Sequence, residues 1–592
     1  MLRMKLVFAA LLLAASVWIV PPAQAAVTVQ VTIAGSSAMW QTMALGANSL
    51  AGAGAKHWTS SSNVVNLTDT RVVPNNVDAG TIWIVWNSAA TKVWAFLKVD
   101  SVVGDRCYFA QPHCTVNATS ANLSGSGAQQ ISTVLWGADS ALPASVSAVF
   151  TSGTPSTVAA TDIRPEDANF AACRVNSALS TGTNGGSSSD GLDGLGYNSN
   201  NASGVCPGAG LAQANYVGSP IKSGYPASTA TANPLSFNIK GNDPISGNAI
   251  PAFTVLAVGA APIVFVDRHS TQLVGLQSAT DVQLQNAFSG TNCDASAFGL
   301  AAGGIGIFLR EPLSGTMNTT EATVFRKPTV YSGGIIGVSQ EANVNAVLNN
   351  PLSGQAGTCL SGAGSRHRAI GTGEEVKSVL NSVANLGVDG IGYAFFSYGN
   401  VSSIANNSSY GYIQLNGVDP IFASYAGGDP GQPGGGTLPA AANLPSSCLV
   451  LGIPSFPCPE NAIWTGGLSF PNVRNGTYGS WSILRLVSSG TPLTAASALI
   501  SKSQQFVVTS VPDYVPIKKT IAGGITDPGL LYLRSHYQQY DGAGTFIGAA
   551  PVNKGTTEAG GDMGGCILKT TGSTSTKAQD VNVDLPSCAT RP

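Results

Sequence analysis

Apolar residues fall in two rhythms along this sequence. A β-branched run at 27–34 and apolar runs at 81–86 and 93–99 predict strands, and the first ends at Gly35-Ser36-Ser37. Residues 38–50 then carry Met39, Trp40, Met43, Ala44 and Ala47 on helical spacing. A strand that enters a helix through a small-residue turn opens an α/β unit. Residues 252–266 are almost continuously apolar, as in a strand buried on both faces. Further on, 278–288 predicts a capped helix, 305–309 a short buried strand, 373–386 a helix and 391–398 a strand. Segments 483–487 and 495–505 supply a last strand and helix. Stretches 110–130 and 180–250 are rich in Ser, Asn, Gly and Pro and predict surface insertions, with 427–436 as a linker or long loop. Past Lys519 the pattern weakens.

The first 25 residues have a different character. Arg3 and Lys5 precede an apolar run over 6–20, and Ala23-Gln24-Ala25 gives a small-x-small cleavage pattern. This reads as a secretory signal peptide, 1–25. The run is short for a transmembrane helix, which needs roughly 20 apolar residues. A retained anchor is the alternative; cleavage leaves an expected soluble protein, periplasmic or secreted, with no membrane insertion.

Composition narrows the class. Only 10% of residues are charged, 44% are hydrophobic and 70 are Gly, which fits a globular, loop-rich chain. A net charge of −2 gives no electrostatic reason to expect nucleic acid. Ten cysteines, an even number in an oxidising compartment, suggest disulfides. Their spacing points to sequential pairs: Cys107–Cys114, Cys173–Cys206, Cys293–Cys359, Cys448–Cys458 and Cys566–Cys588, although sequence does not fix connectivity. With no C-x-x-C pair and five scattered His, neither a metal site nor a cofactor is expected.

The most specific local feature is Arg310-Glu311-Pro312-Leu313-Ser314-Gly315-Thr316, at the end of the 305–309 strand and before a helix predicted over 317–325. The first turn of a helix has unpaired N–H donors and partial positive charge, so it attracts anions. Gly315 permits close backbone approach. Ser314 and Thr316 add hydroxyls, and Arg310 can grip two oxygens of a tetrahedral oxyanion. An ordinary N-capped helix beside a surface ion pair is the plainer explanation of the same pattern.

Other segments agree in order with one family. Thr32-Ile33-Ala34-Gly35-Ser36-Ser37, Ala159-Ala160-Thr161-Asp162, the helix segment 280–290, Arg310 to Thr316, Gly390-Ile391-Gly392-Tyr393, Asn475-Gly476-Thr477-Tyr478 and Pro512-Asp513-Tyr514-Val515-Pro516 together resemble the periplasmic phosphate-binding proteins of ABC transporters. The resemblance spans roughly residues 31–516, between insertions. It implies a two-lobe α/β fold of the type II periplasmic binding proteins with two crossovers and disulfide-stapled insertions. Lobe I would be 26–254 with 393–516, carrying insertions at 91–155 and 174–250; lobe II would be 255–392, and 517–592 a C-terminal extension. It also implies a ligand site of Ser37, Ser88, Asp162, Arg310, Ser314, Gly315 and Thr316. Asp162 would receive a proton from phosphate and so disfavour sulfate. Many family members carry an acidic residue two positions after the Arg, where this chain has Pro312.

The expected function is therefore capture of phosphate or a similar oxyanion by a monomer that feeds an ABC transporter permease. An extracellular interaction protein on the same scaffold, with a reduced anion site, is the alternative. An enzyme is not expected: no G-x-S-x-G elbow occurs.

Overall fold

The computed structural model describes residues 26–172, 237–325, 359–421 and 470–526, less short stretches within them such as 72–75, 311–312 and 398–408, together with 449–450 and 453–454. The signal segment, the Cys173–Cys206, Cys448–Cys458 and Cys566–Cys588 pairs, the 427–436 linker, residues 174–236 and the tail beyond 526 lie outside the described residues.

The long apolar run becomes β5, Thr254–Arg268, and the sheet is organised around it. Its first half pairs antiparallel with β10, Trp481–Ser488, from Thr254↔Ser488 to Pro262↔Trp481. From Ile263 onward it changes partners. Its second half lies between β8, Gly390–Phe395, and β9, Tyr410–Leu415. On one side the path continues from β10 to β4 (Val158–Thr161), β1 (Thr28–Gly35), β3 (Lys92–Lys98) and β2 (Asn76–Trp86). On the other it runs from β8 to β6 (Gly306–Arg310) and β7 (Ser365–Ala369). The closing segment Val515–Pro516 pairs with β5 at Ala260 and Gly259. A strand with neighbours on both edges and both faces covered must be apolar throughout, which is why its sequence does not alternate.

Two parallel groups matter for function. β1 is parallel to β3 and β4, and β6 is parallel to β7 and β8. Both faces of the first group are covered. Ile33, Trp83 and Phe96 join one buried cluster with helix α1, Trp40–Ala51. Ala95, Leu97 and Ile84 join a second with α2, Ser101–Phe109. Alternate side chains of one strand thus feed two cores, as a period of two requires.

Several boundaries moved. Residues 91–155 do not sit outside the sheet as an insertion would: their first part is β3, paired between β1 and β2, followed by α2 packed on the sheet. Within 110–130, Cys114, Val116, Ala118 and Leu123 are buried, because a Thr115–Asn117 strand pairs with Val65–Thr68. The helix expected from 278 begins at Asp281 as α3, Asp281–Phe288, since Ser278–Ala279 pairs with β9. The one expected from 317 begins at Gly315 as α4, Gly315–Thr320, and runs into a π-turn at Glu321–Phe325. The 373–386 helix breaks into α5, Thr372–Leu380, and Ser382–Leu386. Last comes α6, Gly490–Thr509.

Among the described residues two disulfides are formed, Cys107–Cys114 and Cys293–Cys359. Among the described residues, no helix is long and apolar enough to cross a membrane.

Candidate functional site

The carboxyl ends of parallel strands from both groups meet at one small pocket. β1 ends at Gly35, with φ +138°; a Cβ there would lie 1.9 Å from the Ala160 carbonyl oxygen, so only glycine lets β1 finish against β4. The chain then turns through Ser36, whose Oγ accepts from the Ala38 N–H at 3.2 Å, and presents Ser37. Beside it, β3 runs through Val99 to Asp100 and Ser101 at the start of α2, tied by a 2.9 Å bond from the Val99 N–H to the Gly35 carbonyl. β4 delivers Asp162. From the other group β6 delivers Arg310, whose N–H donates to the Tyr393 hydroxyl at 3.2 Å. Ser314 caps α4 by accepting from the Met317 N–H at 3.3 Å, and Thr372 opens α5.

Arg310 sits in the middle. One guanidinium nitrogen, Nη1, lies 3.0 Å from Thr372 Oγ1 and 3.3 Å from Thr316 Oγ1. The other, Nη2, lies 3.6 Å from Asp100 Oδ1. Arg310 is 3% exposed, Asp100 6% and Asp162 2%, so these charges act with little water between them. Ser37 Oγ reaches Thr372 Oγ1 at 3.4 Å, and the Val102 N–H reaches the Leu313 carbonyl at 3.3 Å. Gly315 packs its backbone onto Asp162: a Cβ there would stand 1.8 Å from Oδ1.

Asp162 accepts a short hydrogen bond from the Ser101 hydroxyl. Burial pushes its carboxyl up to about 6, against the pull of the Ser101 bond and the Arg310 charge. A carboxyl in that range exchanges a proton near neutral pH. The remaining lining is hydroxyl-rich, and helical turns start beside it at Ser37, Ser101, Gly315 and Thr372, where a helix carries partial positive charge. The cavity is about 10 Å³, the scale of one water or small group. Chemically it offers hydroxyl donors, one guanidinium and a proton acceptor to a compact anion.

Of the residues expected from sequence, Ser37, Asp162, Arg310, Ser314 and Thr316 line this pocket, and Gly315 forms its wall against Asp162. Ser88 does not: it is exposed in the turn after β2, and the serine that faces the pocket after a strand is Ser101. Ser36, Asp100, Ser101 and Thr372 were not anticipated. Asp100-Ser101 directly after an apolar strand is a legible helix-start signal; Thr372 follows a strand, Ser365–Ala369, too polar to be noticed. Glu311 and Pro312 lie outside the described residues, and the carboxylate beside Arg310 is Asp100, from a distant element.

No family model matches the chain, and no curated protein does. Solved structures do. One is PstS from Borrelia burgdorferi, at 9% identity and TM-score 0.23, covering 43% of this chain and 69% of that one. Another is an ABC-type phosphate transport receptor from Vibrio cholerae, at 12% identity and TM-score 0.23, covering 43% and 70%. A possible phosphate binding protein from Planctomyces limnophilus is similar over 82% of this chain and 88% of its own, at 9% identity and TM-score 0.25.

Proposed function

We propose that this chain is an exported solute-binding protein that captures a tetrahedral oxyanion, phosphate foremost, for an ABC transporter permease. The observation that carries the reading is the meeting of Arg310, Asp162, Ser37, Ser314 and Thr316 in one buried pocket fed by helix N-termini. Two lobes, expected from sequence at 26–254 with 393–516 and at 255–392, would supply the two walls; the partner change in β5 would put the first crossover at Ile263 and the return after Leu415. Ser37, Ser101 and Asp162 belong to the first wall; Arg310, Ser314, Thr316 and Thr372 belong to the second. An anion held by both walls favours their closed arrangement, because its contacts are complete only there.

Proton bookkeeping favours phosphate. Two carboxylates, Asp100 and Asp162, share the pocket with a single guanidinium. A fully deprotonated dianion such as sulfate would meet uncompensated negative charge, whereas protonated phosphate can donate to Asp162. Isothermal titration with phosphate, sulfate, arsenate and molybdate tests this. Heat with phosphate and little with sulfate is expected. Arg310→Ala should weaken phosphate at least about thirtyfold, since removing a buried charged partner costs roughly 2–5 kcal/mol. No heat with any anion would sink the reading and leave the interaction-protein alternative on the same scaffold.

A further inference from the structure

The anion pocket adjoins a much larger cleft. Ser37, Ala38, Val99, Asp100 and Thr372 line both spaces, so a group held in the pocket borders the cleft directly. The pocket is about 10 Å³ and the cleft about 830 Å³, the latter within the range of roughly 300–1,000 Å³ that suits whole organic ligands. The cleft persists although the two walls already touch at the pocket, through Ser37 and Thr372 and through Val102 and Leu313.

Its walls mix apolar surface, Trp40 included, with amide, hydroxyl and charged side chains of both signs. Asn63, Gln130, Asn381 and Asn385 line it, together with two lysines, Lys98 and Lys377, and two carboxylates, Asp100 and Glu374. Lys98 is held over the Trp40 ring at 4.5 Å. Amide side chains donate and accept at once, which suits hydroxyl groups; balanced charge favours neither a second phosphate nor an apolar tail.

We propose that the ligand is a phosphomonoester of a small polyhydroxylated alcohol, its phosphate in the Arg310 pocket and its hydroxyls against the cleft amides. This rests on the oxyanion reading above and narrows its ligand class. The test is calorimetry on the mature chain with inorganic phosphate, glycerol 3-phosphate and glucose 6-phosphate. Glucose 6-phosphate should bind at least about tenfold more tightly than phosphate, which is about 1.4 kcal/mol. The double variant Asn381→Ala, Asn385→Ala should lose most of that advantage while its phosphate affinity stays unchanged. Phosphate binding with no gain from either ester would overturn the inference and leave the oxyanion reading standing. An ester advantage that the double variant retains would overturn the assignment of the cleft amides. No binding of any of the three would remove both.

Discussion

Burial sets the chemistry of Asp162. Its carboxyl is pushed up to about 6 in the fold, above the ordinary value of 3.8, so the folded chain holds that proton more tightly than the unfolded one. The stabilising contribution is complete below about pH 4 and is lost as pH rises through about 6. Asp162→Asn removes this dependence: urea midpoints at pH 4 and pH 8 should show the wild type losing ground to the variant at the higher pH. The same variant should discriminate less between phosphate and sulfate, by about tenfold or more, because an amide can donate to a fully deprotonated oxyanion. Unchanged selectivity would remove Asp162 from the proposed recognition. Gly315 carries a different constraint. A methyl group there would overlap the buried Asp162 carboxylate, so Gly315→Ala should cost about 1–3 kcal/mol of stability and weaken anion binding. A variant with wild-type affinity and urea midpoint would show that the contact yields freely.

At the scale of elements, the site depends on strand ends rather than on one loop. β1, β3, β4 and β6 stop with their carboxyl ends at the pocket, and three of them hand over directly to a helical turn. Sequence displayed two of these junctions well, Gly35-Ser36-Ser37 and Arg310 to Thr316, because small residues and hydroxyls crowd at them. It displayed the β3 junction poorly, since Asp100-Ser101 was submerged in a segment taken for an insertion. Only the parallel pairing of β1 with β3 brings it beside Ser37. The element from β6 to α4 is also enclosed by a covalent loop, for Cys293–Cys359 spans a separation of 66 residues with Arg310 inside it. Cys293→Ser with Cys359→Ser should lower stability by about 2–4 kcal/mol, read from urea unfolding. A loss near zero would mean that packing around the buried Cys293 suffices.

For the whole molecule, β5 is the member that both parts of the sheet share. Its first half belongs with β10 and its second with β8 and β9. A strand that changes partners midway can bend there while each half keeps its ladder, which is the mechanical requirement for two walls closing on a ligand. Phosphate should therefore reduce the radius of gyration in small-angle scattering, and Arg310→Ala should abolish the change. Equal radii with and without bound phosphate would argue for a rigid site.

The sequence by itself determined the alternation of strands and helices, the continuous apolar strand at the centre and five of the polar side chains that line the pocket, and it suggested without fixing the two disulfides seen. These are local properties: period, caps, turn residues and spacing. Tertiary structure decided which hydroxyl follows Ser37 into the pocket, Ser101 and not Ser88. It also placed Asp100 beside Arg310 and turned Asp162 into a group that titrates near neutrality. Those depend on which strand ends lie together and on how much water they exclude, and neither is a property of neighbouring residues in the chain. Arg310 to Thr316 could be read from its own residues; its partners could be found only where the strands end.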